Sequence, residues 1–254
     1  MRVLRAVTAA FAAYSRIPVP LADDPREGQE LAMCFFPLVG AAVGLAMAAW
    51  LLLCDVLGLG GLLRGAIGAL IPLLVTGGIH MDGFMDTCDA LASWQSKERR
   101  LEILKDSHVG AFAVMGCCGM LLAAAGLLSE ASSRDALPLV ACFIASRALS
   151  ACTSAALRSA RPDGMLARFV RPAHKRAVCA GGAIYLAASV IVWLLCGGAQ
   201  MALLCGAAAA LCTLAYRRMA YRQFGGVTGD LAGWFLQVTE LCCIAAVIMG
   251  GKLA

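Results

Sequence analysis

Asp82, Asp86 and Asp89 stand at i, i+4 and i+7 in the segment Thr76-Gly77-Gly78-Ile79-His80-Met81-Asp82-Gly83-Phe84-Met85-Asp86-Thr87-Cys88-Asp89. In a helix that spacing stacks all three carboxylates on one face. The segment directly follows an apolar run long enough to cross a bilayer, where repulsion between like charges is poorly screened. A bound divalent cation with oxygen ligands, Mg²⁺ or Mn²⁺, relieves the repulsion, and polyphosphate chemistry uses such a cation as a clamp. A polar, solvated helix start is the plainer alternative. Three carboxylates beside a glycine and a membrane boundary favour the metal. His80 can transfer a proton near neutral pH, but hydrogen-bonding and orienting a carboxylate ranks higher for it.

Three further stretches carry charge in suggestive places. In Arg99 to Gly110, the apolar Leu101, Ile103 and Leu104 predict a helix lying on the membrane surface. Lys105 then becomes a phosphate contact and Asp106 a fourth metal ligand, against the alternative of a salt-bridged loop helix. In Gly225-Gly226-Val227-Thr228-Gly229-Asp230, glycine-rich backbone at a helix start offers N–H groups to a phosphate. Asp230 there holds a metal or caps the helix, and Arg217, Arg218 and Arg222 just upstream add positive charge. Within the loop from Arg158 to Arg176, Arg161 and Asp163 are candidate site residues, and the other arginines set topology. Arg147 lies inside the apolar stretch Cys142 to Ala156, where a cation must pair or face a cavity. A phosphate site and a buried ion pair both account for it.

These residues must be held by membrane helices. The chain of 254 residues is 61% hydrophobic and 15% charged, against about 45–50% and about 25% in soluble domains. Spanning segments in lipid must satisfy their own backbone, and continuous apolar runs exclude a β-barrel. The expected fold is all-α, a polytopic helical bundle forming a single unit over residues 1–254. Runs over 33–54, 60–78, 110–128, 136–157, 177–197, 200–216 and 231–250 are candidate spans of about 20 residues. Glycines within them, Gly40 and Gly44 among others, permit close helix packing. With the N-terminus in the cytoplasm, 17 of the 21 lysines and arginines fall on that side, as the positive-inside rule asks of seven spans. Residues 1–20 read as a short amphipathic interfacial helix. Most of the 13 cysteines lie in apolar runs and act as small hydrophobes, so neither disulfides nor structural zinc is expected.

That topology puts the aspartates and the arginine-rich loops on one cytoplasmic face. Acidic metal-ligand candidates and basic phosphate-ligand candidates therefore converge, which favours an enzyme acting on a cytoplasmic, anionic, phosphorylated substrate. A transporter would place paired charges near mid-membrane. No nucleic-acid partner is expected; lipid surrounds the spans, and small-residue faces are compatible with a homo-oligomer.

Over nearly its whole length the chain resembles the cobalamin synthase family, the adenosylcobinamide-GDP ribazoletransferases of the bacterial cytoplasmic membrane. The resemblance is carried by Phe11 with Ser15-Arg16-Ile17-Pro18-Val19-Pro20, Phe36-Pro37-Leu38-Val39-Gly40, the GGIHMDGFMDTCDAL block from Gly77, LEILKDSHVGAF from Leu101, Ser146-Arg147, and GGVTGD from Gly225. It departs from the family pattern at His108, Ala113, Trp234 and Gln237, while Glu240 is kept. The resemblance implies Mg²⁺-dependent transfer in which α-ribazole, or its 5′-phosphate, attacks the cobinamide-linked phosphate of adenosylcobinamide-GDP and expels GMP. Asp82, Asp86, Asp89, Asp106 and Asp230 are then the metal candidates, with Asp89 the first choice of base. Lys105, Arg147, Gly225, Gly226, Thr228 and Gly229 would contact phosphate. A CDP-alcohol phosphatidyltransferase-like enzyme is the nearest rival, but the chain lacks the longer pattern those enzymes carry around their DG motif.

Overall fold

The computed structural model describes residues 2–20, 28–161, 164 and 175–253; Asp163 lies outside them. Away from water the apolar runs can satisfy their backbone only as helices. In chain order these are α1 (Arg2–Tyr14), α2 (Gln29–Leu57), α3 (Gly61–Thr76), α4 (Ile79–Ala92), α5 (Lys97–Ile103), α6 (Ala111–Ser129), α7 (Ala136–Ala156), α8 (Lys175–Met219) and α9 (Gly229–Leu253). A π turn, Ala220–Phe224, follows α8. Among the described residues there is no strand, only an isolated bridge between Ser159 and Val227.

Five segments are long and apolar enough to cross a membrane: Gln29–Leu57, Ala111–Ser129, Ser133–Ala156, Lys175–Phe224 and Gly229–Lys252. The fourth is too long for one crossing, since about 20 helical residues cover the hydrocarbon. Its helix breaks at Gly197 and Gly198, where φ is −133° and 65°. Before the break, Trp193 donates its indole N–H to the Pro138 carbonyl near the start of α7 (3.1 Å). After it, Tyr216 stacks on Phe235 near the start of α9, with ring centroids 4.4 Å apart. The end of α9 adjoins the start of α7, where a Cβ on Gly251 would lie 3.3 Å from the Asp135 carboxylate. The two halves of α8 therefore run in opposite directions, as a hairpin.

The core sits where α2, α7, both halves of α8 and α9 meet, around Met47, Leu51, Phe143, Trp193 and Val247. Helices α2 and α7 approach closely at Gly44, where an added Cβ would come within 2.7 Å of the Val140 Cα. Outward-facing Leu62, Leu122, Leu195 and Leu203 are exposed, the lipid-facing surface of a bundle without water around its waist.

Helix α4 does not continue α3. The two meet at 101°, because Gly77 and Gly78 both adopt the left-handed region (φ 69° and 80°), open to glycine at little cost. Helix α4 lies across the end of the bundle, touching α6 and α9 at their first turns. At the same end, the chain after α1 closes on α3 through the Arg16 N–H, which donates to the Val75 carbonyl (2.8 Å).

Candidate active site at the end of the bundle

Helix α4 brings Asp82 and Asp86 to the first turn of α9, which carries Asp230. Two glycines make this crossing possible. An added Cβ on Gly83 would lie 2.8 Å from the Asp230 Cα and carbonyl oxygen, and one on Gly233 would lie 3.0 Å from the His80 carbonyl oxygen. The obstacle at Gly83 is backbone, which cannot swing aside. Gly83→Ala is therefore expected to push α4 off α9 and to lower activity by about tenfold or more, since misplacing a site by about 1 Å can cost that much or more. Initial rates of the purified variant check it; wild-type turnover would show that the acid set tolerates displacement.

Asp82 is exposed, while Asp86 and Asp230 are partly buried. Burial first, then the charges of Asp82, Asp230 and Asp89, pushes the Asp86 carboxyl up to about 6. Three of these carboxylates share α4, and the fourth, Asp230, is brought to them by α9. Arg161 lies 3.7 Å from Asp230 and also donates to the Leu101 carbonyl within α5. Arg158 donates to the Gly225 carbonyl (3.0 Å), and the buried Arg100 donates to Gln223 in the π turn. Arg100 on α5, with Arg158 and Arg161 in the chain that leaves α7, thereby ties α5 and the glycine-rich loop together beside Asp230. Of these, only Arg161 stands out in the sequence.

Several candidates have other partners. Both oxygens of Asp89 are occupied, accepting from the N–H groups of Gly110 (2.7 Å) and Ala113 (2.8 Å). Asp89 thus caps α6 from a neighbouring helix, where Gly110 offers no side chain of its own; a carboxylate there also suits the helix dipole. Asp106 is exposed and bonded within its own loop to the His108 N–H (3.0 Å) and ring (2.6 Å). It is not among the charges acting on Asp86. Lys105 beside it is exposed.

Arg147 is not at the aspartates' surface. It is buried and pairs with Glu240 on α9, donating also to Ser146 Oγ (3.0 Å) and the Phe143 carbonyl. Of the two accounts open for it, the ion pair is the one found. Among the described residues His80 likewise makes no hydrogen bond to a carboxylate. Its ring packs beside the touching rings of Phe36 and Tyr14, with centroids 5.4 Å and 6.2 Å away, and neither ring nitrogen has a partner among the described residues. Burial, then the charge of Arg147, holds it down to about 3, so it stays neutral.

The glycine-rich loop is only partly a phosphate cradle. Gly225 and Gly226 both direct their N–H groups to the Ala220 carbonyl, and Gly226 packs on the Arg158–Ala160 backbone. Val227 exchanges hydrogen bonds with the same strip, its N–H reaching the Arg158 carbonyl (2.9 Å). Thr228 caps α9, its hydroxyl accepting from the Leu231 N–H (3.2 Å). Gly229 remains exposed at the helix start, next to Asp230.

The donor chemistry suits a hard cation: carboxylate oxygens, partly desolvated and mutually repelling. Among the described residues no three His, Cys, Asp or Glu side chains converge into a closed metal set. Mg²⁺ does not need one, since it takes one or two carboxylates and completes its octahedron with water and phosphate oxygens. The residues fit a cation shared with a phosphorylated ligand better than a structural metal.

A family profile described as cobalamin-5-phosphate synthase matches residues 6–248. A protein of Lachnoclostridium phytofermentans named adenosylcobinamide-GDP ribazoletransferase is 41% identical, over 98% of this chain and 95% of its own. Proteins of the same name from Azorhizobium caulinodans and Geotalea daltonii are 36% and 32% identical, over 98% of this chain and 97% and 100% of theirs. No solved structure matches the chain.

Proposed function

The chain belongs to the cobalamin-5-phosphate synthase family, and on that premise we propose that it is an adenosylcobinamide-GDP ribazoletransferase acting in cobalamin biosynthesis. The observation that carries the reading to this site is the crossing that brings Asp82 and Asp86 to Asp230, itself 3.7 Å from Arg161, at one end of an apolar bundle. The substrates are adenosylcobinamide-GDP and α-ribazole or its 5′-phosphate. The ribazole hydroxyl oxygen forms a new bond to the cobinamide-bearing phosphorus. The bond from that phosphorus to the bridging oxygen breaks, and GMP departs with the electron pair. The hydroxyl proton passes to a carboxylate.

Asp86 suits the proton transfer better than Asp89. The Asp89 oxygens already accept two backbone N–H groups, whereas Asp86 carries no hydrogen bond among the described residues. Asp82 and Asp230 would hold Mg²⁺. When bound, the cation would offset charge on the pyrophosphate and on the leaving phosphate. The protein's own contribution is positioning: the arginine-fastened loop keeps Asp230 against α4, and the buried Arg147–Glu240 pair sits behind the site.

The arrangement in the cell follows from charge. Seven crossings, counting the α8 hairpin as two, with the N-terminus inside, put the aspartates and most of the lysines and arginines at the cytoplasmic face of the bacterial inner membrane. The site is then open to the cytoplasm, and lipid covers the exposed leucines. Detergent-purified protein supplied with adenosylcobinamide-GDP and α-ribazole is expected to release GMP only when both ribazole and Mg²⁺ are present. Metal-independent release would remove the cation from the reading. No release at all from folded protein would remove the transferase.

A further inference from the structure

An arginine and an aspartate face one groove without pairing. The groove, about 770 Å³, opens at the bend between α3 and α4, and Arg16, Leu74, Gly77, Gly78, Asp82 and Met85 are among the residues lining it. Arg16 is exposed, yet its backbone is well fixed. Its N–H donates to the Val75 carbonyl (2.8 Å). Ser15 Oγ beside it donates to the Phe11 carbonyl (2.8 Å) and accepts from the Ile17 N–H (3.3 Å). The side chain then runs across Gly77, where an added Cβ would lie 2.6 Å from Nε.

A cation at a helix C-terminus ordinarily binds the last carbonyls. The Arg16 guanidinium makes no such bond among the described residues, and its own main-chain N–H already serves Val75. Among the described residues no carboxylate pairs with it either, although Asp82 shares the groove. A permanently charged, forked donor opposite a carboxylate, with space between them, matches a ligand carrying phosphate oxygens and a cation. Resting on the transferase reading, we propose that Arg16 binds the pyrophosphate of the corrinoid nucleotide, so that this groove is where the nucleotide's phosphates enter the site. The apolar walls at Leu74 and Met85 suit the bulky, less polar remainder of that substrate.

The test uses GDP, which carries the pyrophosphate and lacks the corrinoid. Binding is measured by calorimetry on the full-length protein with EDTA present, so that no metal contributes. Arg16→Ala is expected to weaken GDP binding by about tenfold or more, the effect of losing a charge-assisted hydrogen bond. Arg16→Lys, which keeps the charge and loses the fork, is expected to lie between. In turnover, Arg16→Ala raises the KM for adenosylcobinamide-GDP and leaves that for α-ribazole unchanged, with the melting temperature as in wild type. GDP binding equal to wild type would overturn the proposal, as would an equal rise in both KM values. If wild type itself neither binds GDP nor releases GMP, the transferase reading fails and takes the proposal with it.

Discussion

Asp82→Ala is expected to lower GMP release by about 10²–10⁴-fold, the range for a residue that supports charge or proton movement in a transition state, while the protein still inserts and folds. Two features separate this from ordinary damage. Asp82 is exposed on α4, and exposed substitutions usually change stability by no more than about 0.5 kcal/mol. It is also one of the charges that oppose ionisation of Asp86, so its removal relieves repulsion within the native state. The melting temperature of the variant should therefore match or exceed that of wild type as activity disappears. Stability held while turnover is lost marks a group placed for chemistry at a structural cost. Near-normal rates in a folded Asp82→Ala protein would remove the carboxylate site from the mechanism. A large fall in melting temperature would recast Asp82 as structural.

The opposite pattern is expected at Arg147. Its guanidinium pairs with Glu240 in the bundle interior, both side chains almost wholly buried. Two charges so placed are tolerable together, but removing one leaves the other without compensation, at a cost of roughly 3–5 kcal/mol. Arg147→Ala should accordingly lower the melting temperature steeply and reduce folded yield. Replacing both partners by apolar residues of similar size, Arg147→Met with Glu240→Leu, should restore much of the stability, because neither charge is then stranded. Activity in that double variant is the deciding measurement. If Arg147 acts only through the pair, the double variant turns over substrate. A stable but inactive double variant would return Arg147 to the substrate.

The contrast between these residues mirrors what could be read in the sequence. Helix ends were legible, since apolar runs stop where glycine or charge intervenes. The run 60–78 folds as Gly61–Thr76, 110–128 as Ala111–Ser129, and 136–157 as Ala136–Ala156. The break between 177–197 and 200–216 falls at Gly197–Gly198. The 3.6-residue period likewise foretold that Asp82 and Asp86 share a helix. Long-range partners were not legible. Nothing local to Arg147 points to Glu240, 93 positions away, nor does the spacing of Asp89 reveal that its oxygens face the start of another helix. Gly225 and Gly226 look like a phosphate loop because a tight structural turn and an anion cradle use the same residue type. Gly83 carries a weaker hint, a glycine inside a helix beside an aspartate, which costs helix stability unless another backbone must come close.

The Asp89 cap ties two helices into one mechanical body. A single carboxylate holds the first turn of α6 through two N–H groups, so α4 cannot rotate about its axis without releasing them. Helix α6 presents much of its surface outward, with Phe112, Val114, Met115 and Leu122 exposed. Pressure or thickness changes in the surrounding bilayer that tilt α6 are therefore transmitted to the helix bearing the acids. The orientation of Asp82 and Asp86 becomes a property of the membrane as well as of the protein.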